Sequence, residues 1–172
     1  MANRENLGVN IAQSVAILID GNNIGMSING QFGINYMLNY DTIIPKVLQG
    51  RQLNRLVYLR EGGLISEKFA RRLKGNFFGI VENCYKSADI PLTIHAVKLA
   101  EKVDTIIIFS GDGDYLPLIS YLKSVGIRVE VVSMKKSCSK YILEAADDVY
   151  FISSEDLFTK PINTQNESIG GN

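Results

Sequence analysis

The chain has 172 residues, with 18 basic and 18 acidic side chains and a hydrophobic fraction of 46%. This length suits one domain with its own core, and the zero net charge excludes a general electrostatic attraction to nucleic acid. No apolar run reaches the roughly 18 residues that cross a bilayer, and the polar first residues lack the apolar segment of a signal peptide. We therefore expect a cytoplasmic protein with no membrane partner.

Strand and helix patterns alternate along the chain, which predicts an α/β fold. We expect a three-layer α/β/α sandwich around a mostly parallel central sheet. The continuous apolar runs 15–19 and 105–109 are typical of strands buried on both faces. Further strands are predicted over residues 53–60, 127–132 and 149–152, and residues 77–85 form an extended segment of ambiguous type.

Helices are predicted between these strands. Their expected bounds are residues 40–49, 66–74, 89–102, 115–125 and 137–145. Tyr40 and Asp41 offer the first of them an N-cap, and Gly50 and Gly75 are plausible stops. The Gly- and Asn-rich residues 25–39 have weak periodicity and predict a long loop, and residues 153–158 predict a last turn.

The expected domain covers residues 14–158. A flexible segment, residues 1–13, precedes it, and the polar, Gly- and Asn-rich residues 159–172 predict a disordered tail. The two cysteines, Cys84 and Cys138, are far apart and form no CxxC pair, which favours two reduced thiols. With a single histidine, His95, a zinc site is not expected.

Four acidic residues stand at turn-like positions beside these elements. Asp20 closes the first buried run, and Asp112 and Asp114 follow the run 105–109. Asp89 begins a predicted helix. Because functional groups in parallel α/β sheets gather at the carboxyl ends of the strands, a common edge is a plausible meeting point for these acids.

Crowded carboxylates favour a bound cation. Two carboxylates about 4 Å apart repel by roughly 4 kcal/mol at an effective dielectric near 20, so several of them need a shared proton or a metal ion. An all-oxygen ligand set suits Mg²⁺ or Mn²⁺ rather than zinc. Each acid also has a structural alternative: Asp20 and Asp112 as turn residues, and Asp89 and Asp114 as helix caps or first-turn residues.

Three residues are expected to support the site. Asn23 can orient a carboxylate or hold a water, Ser110 can position a ligand, and Lys86 can neutralise a phosphate. Their structural alternatives are a turn residue, a turn hydrogen bond and an exposed side chain. The glycine-rich stretches match neither GxxxxGK[ST] nor GxGxxG, so they do not predict a nucleotide-binding loop.

The spacing of the acidic residues excludes two other functions that depend on carboxylates. A phosphoaspartate phosphatase needs a second Asp two residues after the first, where this chain has Asn22. A receiver domain needs an acidic pair beside its first strand, and Asp20 has no acidic neighbour.

Three segments resemble the NYN domain family of the LabA/limkain type, within the PIN-like nuclease superfamily. They are Ile19–Asn23 (IDGNN), Lys86–Asp89 (KSAD) and Ser110–Leu118 (SGDGDYLPL), and the resemblance covers roughly residues 14–153. It implies a PIN-like sandwich and a metal-dependent ribonuclease site. By position, Asp20, Asp89, Asp112 and Asp114 would be the catalytic acids and metal ligands, supported by Asn23, Ser110 and Lys86.

One position departs from the family pattern. Relatives commonly carry a further Asp six residues after the KxxD aspartate, and here that residue is His95. A neutral His is a poor ligand for Mg²⁺, so the substitution either weakens the site or favours Mn²⁺. We favour the alternative that His95 lies on the helix flank and the lost acid is peripheral, because His95 and Asp89 do not share a helix face.

The leading hypothesis is an Mg²⁺- or Mn²⁺-dependent endoribonuclease that cleaves single-stranded RNA. Arg60, Lys68 and Arg71 belong to a basic stretch that either binds flanking phosphates or forms a solvated helix face. The alternatives are a catalytically weak or inactive PIN-like module that binds RNA or a protein partner, and a phosphohydrolase of small phosphate esters. A homo-oligomer is compatible with each.

Overall fold

The structure is a computed structural model, and it describes residues 13–62 and 65–160. The strands are β1 (Ser14–Asp20), β2 (Tyr36–Leu38), β3 (Gln52–Glu61), β4 (Ile80–Cys84), β5 (Thr105–Phe109), β6 (Arg128–Ser133), β7 (Asp148–Phe151) and β8 (Leu157–Thr159). The helices are α1 (Gly21–Phe32), α2 (Tyr40–Leu48), α3 (Glu67–Phe77), α4 (Asp89–Ala100), α5 (Leu116–Ser124) and α6 (Lys140–Ala145). Short 3₁₀ turns precede α5 and β8.

Six strands form one parallel sheet in the order β4-β3-β1-β5-β6-β7. Helices α1, α2 and α3 contribute to the apolar core on one face, and α4, α5 and α6 contribute to the core on the other. The predicted α/β/α sandwich with its parallel sheet is confirmed. The chain leaves β1 toward β3 and later returns beside β1 as β5, so the topological switch point lies between β1 and β5.

The predicted loop over residues 25–39 is wrong, because α1 occupies most of it and β2 follows. The Asp20 carboxylate accepts hydrogen bonds from the first backbone N–H groups of α1, and Ile24 and Ile28 pack into the core. An N-cap and an i, i+4 apolar pair outweigh the low helix propensity of the Gly and Asn residues.

Other boundaries also differ from the prediction. Helix α3 continues past Gly75, because Leu73 and Phe77 pack against the core on either side of it. Asn39 rather than Tyr40 stands at the N-cap of α2. Within the predicted last turn, Ser154–Asp156 form a 3₁₀ turn, and β8 begins directly after it and pairs antiparallel with β2.

The expected domain limits are partly visible. Thr159 belongs to β8, so regular structure extends one residue past the expected end at 158. Residues 1–12 and 161–172, for which flexible ends were expected, lie outside the described residues. Cys84 and Cys138 are both free thiols. Among the described residues, no helix has both the length and the apolar character needed to cross a bilayer.

Candidate active site

Asp20 lies at the carboxyl end of β1, next to the switch point of the sheet. Its side chain is almost fully buried, at 5% exposure. Asp20 Oδ1 accepts hydrogen bonds from the backbone N–H groups of Asn22 at 3.1 Å and Asn23 at 2.9 Å. The first turn of α1 therefore fixes the orientation of this carboxylate and leaves Oδ2 for another partner.

That partner is Tyr115, whose hydroxyl donates a hydrogen bond to Asp20 Oδ2 at 3.0 Å. Tyr115 is 2% exposed and stands just before α5. Asp89, half-buried at the start of α4, is close enough for its charge to raise the pKa of both Asp20 and Tyr115. The structure thus brings Asp20 and Asp89 together around one buried phenol.

The pKa values of Asp20 and Tyr115 are both raised in this group. Burial raises the pKa of Asp20, and the charge of Asp89 raises it further, while the hydrogen bonds from Asn23 and Tyr115 lower it and only partly compensate. Burial, together with the two carboxylates, raises the pKa of Tyr115 far above its usual value. Tyr115 therefore keeps its proton and acts as a donor.

Asn23 connects Asp20 to the loop after β5. Its side-chain Oδ1 accepts a hydrogen bond from the Gly111 N–H at 3.1 Å, while its own backbone N–H binds Asp20. Gly111 is tightly enclosed: a Cβ there would overlap the Ser133 hydroxyl and lie 2.9 Å from the Ser137 carbonyl oxygen. The absence of a side chain at Gly111 lets the loop pack closely against β6 and the segment before α6.

Asp112 and Asp114 follow Gly111 in this loop. Asp112 is half-buried, and its Oδ1 accepts a hydrogen bond from the Asp114 N–H at 3.1 Å, which caps the 3₁₀ turn. Its own N–H donates to the buried Ser110 Oγ at 3.2 Å. Asp114 is exposed. Within the described residues, hydrogen bonds and ion pairs do not connect Asp112 or Asp114 to Asp20 or Asp89.

Asp20 and Asp89 therefore form a pair, and Asp112 and Asp114 lie in the neighbouring loop. The four acids do not form one compact cluster. Among the described residues, no three His, Cys, Asp or Glu side chains come together in a metal-binding arrangement. The pair Asp20 and Asp89 fits Mg²⁺ or Mn²⁺ without a third acid, because such ions are commonly held by one or two carboxylates. Water and substrate phosphate then supply the other oxygens. The ligand roles of all four acids, Asp20, Asp89, Asp112 and Asp114, remain predictions.

The remaining predicted residues lie on α3, α4, the end of β3 and the turn before α4. Lys86 is exposed in the turn before α4, and Lys68 and Arg71 are exposed on α3. Arg60 is half-buried near the end of β3. His95 Nε2 lies 3.1 Å from Glu82 Oε1 of β4, so its side chain has a partner on the flank of the sheet.

Sequence reasoning did not identify Tyr115 as part of the site. The available signal was its position directly after Asp114, where a buried Tyr needs a hydrogen-bond partner for its hydroxyl. The partner could not be read from the sequence, because Asp20 is 95 residues away.

The sequence profile of the NYN domain matches residues 14–155. The chain belongs to the NYN domain family. This family is nuclease-like, in agreement with the resemblance of the three segments. No match to the chain is found among curated proteins.

Solved structures with a similar fold include a protein of unknown function from Vibrio parahaemolyticus. It is 19% identical, with a TM-score of 0.77, over 88% of this NYN domain chain and 100% of the other. That similarity shows the fold alone. A dehydrogenase (MviM) from Clostridium difficile overlaps at a TM-score of 0.36 and 13% identity, covering 77% of this chain and 36% of the other, too low to support any comparison.

Proposed function

We propose that this NYN domain protein is an endoribonuclease that cleaves single-stranded RNA with the help of Mg²⁺ or Mn²⁺. The observation that carries the proposal is that the buried Asp20 has a second carboxylate, the half-buried Asp89, beside it, and that neither makes an ion pair within the described part of the chain. Two neighbouring carboxylates, one of them buried, need a counter-charge. A nuclease-like family makes a divalent cation bound to RNA phosphate the best candidate.

Asp20 and Asp89 would hold the metal ion, and Asp112 is the nearest further candidate along the loop. When bound, such a metal activates a water and stabilises negative charge on the phosphoryl oxygen. Tyr115 and the first turn of α1 fix both oxygens of Asp20, so this carboxylate needs little reorganisation on binding.

The protein side chains have separate tasks in this proposal. Asn23 holds the Gly111 loop against α1 and so keeps Asp112 beside the site. Lys86 is exposed three residues before Asp89 and is available to bind a phosphate of the RNA strand. Lys68 and Arg71, which are exposed on α3, would contact the strand further away.

Cleavage of labelled single-stranded RNA tests the proposal. Wild type with Mn²⁺ should cleave it, EDTA should abolish cleavage, and Asp20→Asn should lower the rate by at least ~100-fold, as expected for loss of a group that supports metal catalysis. Asp104→Asn is a matched control, because Asp104 precedes β5 at the opposite edge of the sheet. Equal cleavage by wild type and Asp20→Asn would contradict the nuclease assignment.

A second candidate is a regulatory module that binds RNA or a protein partner without cleaving it. The observation that favours it is that the described acids do not assemble into a group of three. RNA binding that persists without any Mn²⁺-dependent cleavage would support this candidate over the enzyme.

A further inference from the structure

A cavity of about 350 Å³ opens beside Asp20 on the face of the sheet that carries α1. Gly21, the residue after Asp20, is part of its wall. The remaining walls come from α1, β2, the end of β3 and the start of α3. Its volume falls in the range of roughly 300–1,000 Å³ that is common for small-molecule sites. The cavity therefore adjoins the candidate active site and is large enough for part of a substrate.

The inner part of the cavity is apolar and rich in aromatic rings. Tyr40, Tyr58 and Phe69 all line it, and their ring centroids lie 5.0–5.9 Å apart. Ile24 and Ile28 complete this side from α1. Tyr40 and Tyr58 are almost fully buried, whereas Phe69 is half-buried and offers the ring on which a base can stack. Such stacking tolerates any sequence, since every base has a π-face.

The mouth of the cavity is polar and positively charged. Arg60 and Lys160 line it together with the exposed side chains of Asn29 and Ser66. The lining contains no acidic side chain, and neither cation forms an ion pair within the described ranges 13–62 and 65–160. Cations beside an aromatic wall favour a ligand that combines a flat ring with negative charge.

We infer that this cavity binds one base of the RNA strand, with Arg60 and Lys160 facing the strand's phosphates. The inference rests on the proposed function, since it assigns a subsite to the same RNA substrate. It follows from the position of Gly21 that a base held here brings its backbone to the edge where Asp20 lies. The cavity would then set which phosphodiester reaches the acids, by holding a base next to it.

Two glycines of α1 offer a matched pair of variants. Gly25 lines the cavity, and a Cβ built on it meets nothing within 4 Å, so a leucine there can extend into the open space. Gly30 belongs to the same helix and is equally unobstructed, but it does not line this cavity. Both substitutions raise helix propensity. Gly25→Leu and Gly30→Leu therefore differ mainly in that only the first places a side chain in the cavity.

The test measures binding of a short, fluorescently labelled single-stranded RNA in EDTA, where no metal-dependent cleavage takes place. The same RNA with one base removed, moved position by position, is the second probe. Gly25→Leu should weaken binding of the intact RNA about tenfold, the scale of one lost stacking contact, while Gly30→Leu should bind as wild type. One abasic position should weaken wild type by a similar factor and leave Gly25→Leu unaffected.

Equal binding by Gly25→Leu and wild type, or equal binding of intact and abasic RNA by wild type, would overturn the inference. If Gly25→Leu does not fold, Phe69→Leu removes a ring of the wall at similar volume, and unchanged binding by that variant has the same consequence. Cleavage is scored separately with Mn²⁺. Cleavage without base-dependent binding would contradict only the proposal that the cavity binds a base. Base-dependent binding without cleavage would contradict only the proposed nuclease activity.

Discussion

Buried acids occur in two regions of this molecule, and they are neutralised in different ways. Glu130 of β6 is 9% exposed and lies between Arg51 and Arg128, with its carboxylate oxygens 2.7–2.8 Å from their nitrogens. Asp20 is buried to a similar degree, but its neighbours are the Tyr115 hydroxyl and a second carboxylate, Asp89. Within residues 13–62 and 65–160, the first acid is paired with two cations and the second forms no ion pair.

The pKa values move in opposite directions in the two regions. Burial raises the pKa of Glu130, but the hydrogen bonds and charges of Arg51 and Arg128 lower it by more, so it lies below the usual value. Asp156 shows the same pattern with Lys46. The pKa of Asp20 is raised. An acid that only stabilises the fold is paired internally, so the unpaired Asp20 is the one expected to recruit a cation.

The largest stability effect is expected in the paired region. Glu130→Gln leaves Arg51, whose side chain is 12% exposed, without its counter-charge, and should reduce the free energy of unfolding by about 3 kcal/mol. Urea denaturation measures this value, with the exposed Glu101→Gln as control. A loss below about 1 kcal/mol, the scale of a surface ion pair, would mean that the pairing of Glu130 is not structurally important.

A smaller loss is expected where backbone packing holds the acid edge. Gly111→Ala introduces a Cβ that overlaps the Ser133 hydroxyl and approaches the backbone of Ser137 and Cys138, and should cost about 2 kcal/mol, as overpacking does. Gly30→Ala is the control, since its Cβ meets nothing within 4 Å. Equal thermal stability of the two variants would show that the Gly111 loop is not closely packed.

Tyr115→Phe should have a still smaller effect. It removes the hydroxyl that donates to Asp20, and loss of a hydrogen bond to a charged acceptor should cost about 1.5 kcal/mol. Tyr121→Phe, in the exposed part of α5, should cost nothing measurable. If both variants unfold at the same denaturant concentration, Tyr115 does not stabilise the Asp20 carboxylate.

The pH dependence of stability should separate the two regions by sign. The folded-state pKa of Glu130 is lowered, so its stabilisation is present above the usual value of 4.5 and is lost as pH falls through the folded-state pKa. The folded-state pKa of Asp20 is raised, so its contribution is present below the usual value of 3.8 and is lost as pH rises through the folded-state pKa.

Unfolding free energies of wild type, Glu130→Gln and Asp20→Asn, measured in EDTA across the acidic range, check these signs. As pH falls, the advantage of wild type over Glu130→Gln should shrink, and wild type should gain relative to Asp20→Asn. Parallel curves for all three proteins would contradict the electrostatic difference between the regions.

Much of the fold was predictable because its strands are self-evident in the sequence. The runs 15–19 and 105–109 became β1 and β5, and their position at the sheet centre follows from their near-continuous apolar character, which only Thr105 interrupts. Helix α1 was missed because its stability depends on the Asp20 cap and on Ile24 and Ile28 packing into the core. Helix propensity depends on the local sequence and does not reflect those tertiary contacts.

The sequence predicted which edge of the sheet carries the candidate site, but not how the side chains are arranged there. Strand ends located Asp20 and Asp112 near the same edge of the sheet, and the KSAD segment added Asp89. The sequence did not indicate which acids would meet, because that depends on how α4 and α5 pack and on where Tyr115 projects. The charge of Asp89 acts on Tyr115, whereas the Asp112 carboxylate caps its own turn.

The central claim, that Asp20 and Asp89 recruit an external cation, is tested most directly by thermal unfolding of wild type and Asp20→Asn in EDTA and in excess Mn²⁺. Asparagine preserves the N-cap of α1, so in EDTA the variant should melt at or above the temperature of wild type. Saturating Mn²⁺ should stabilise wild type by about 2.7 kcal/mol at 100 times the dissociation constant and leave Asp20→Asn unchanged. No shift for wild type, or an equal shift for both proteins, would contradict the account.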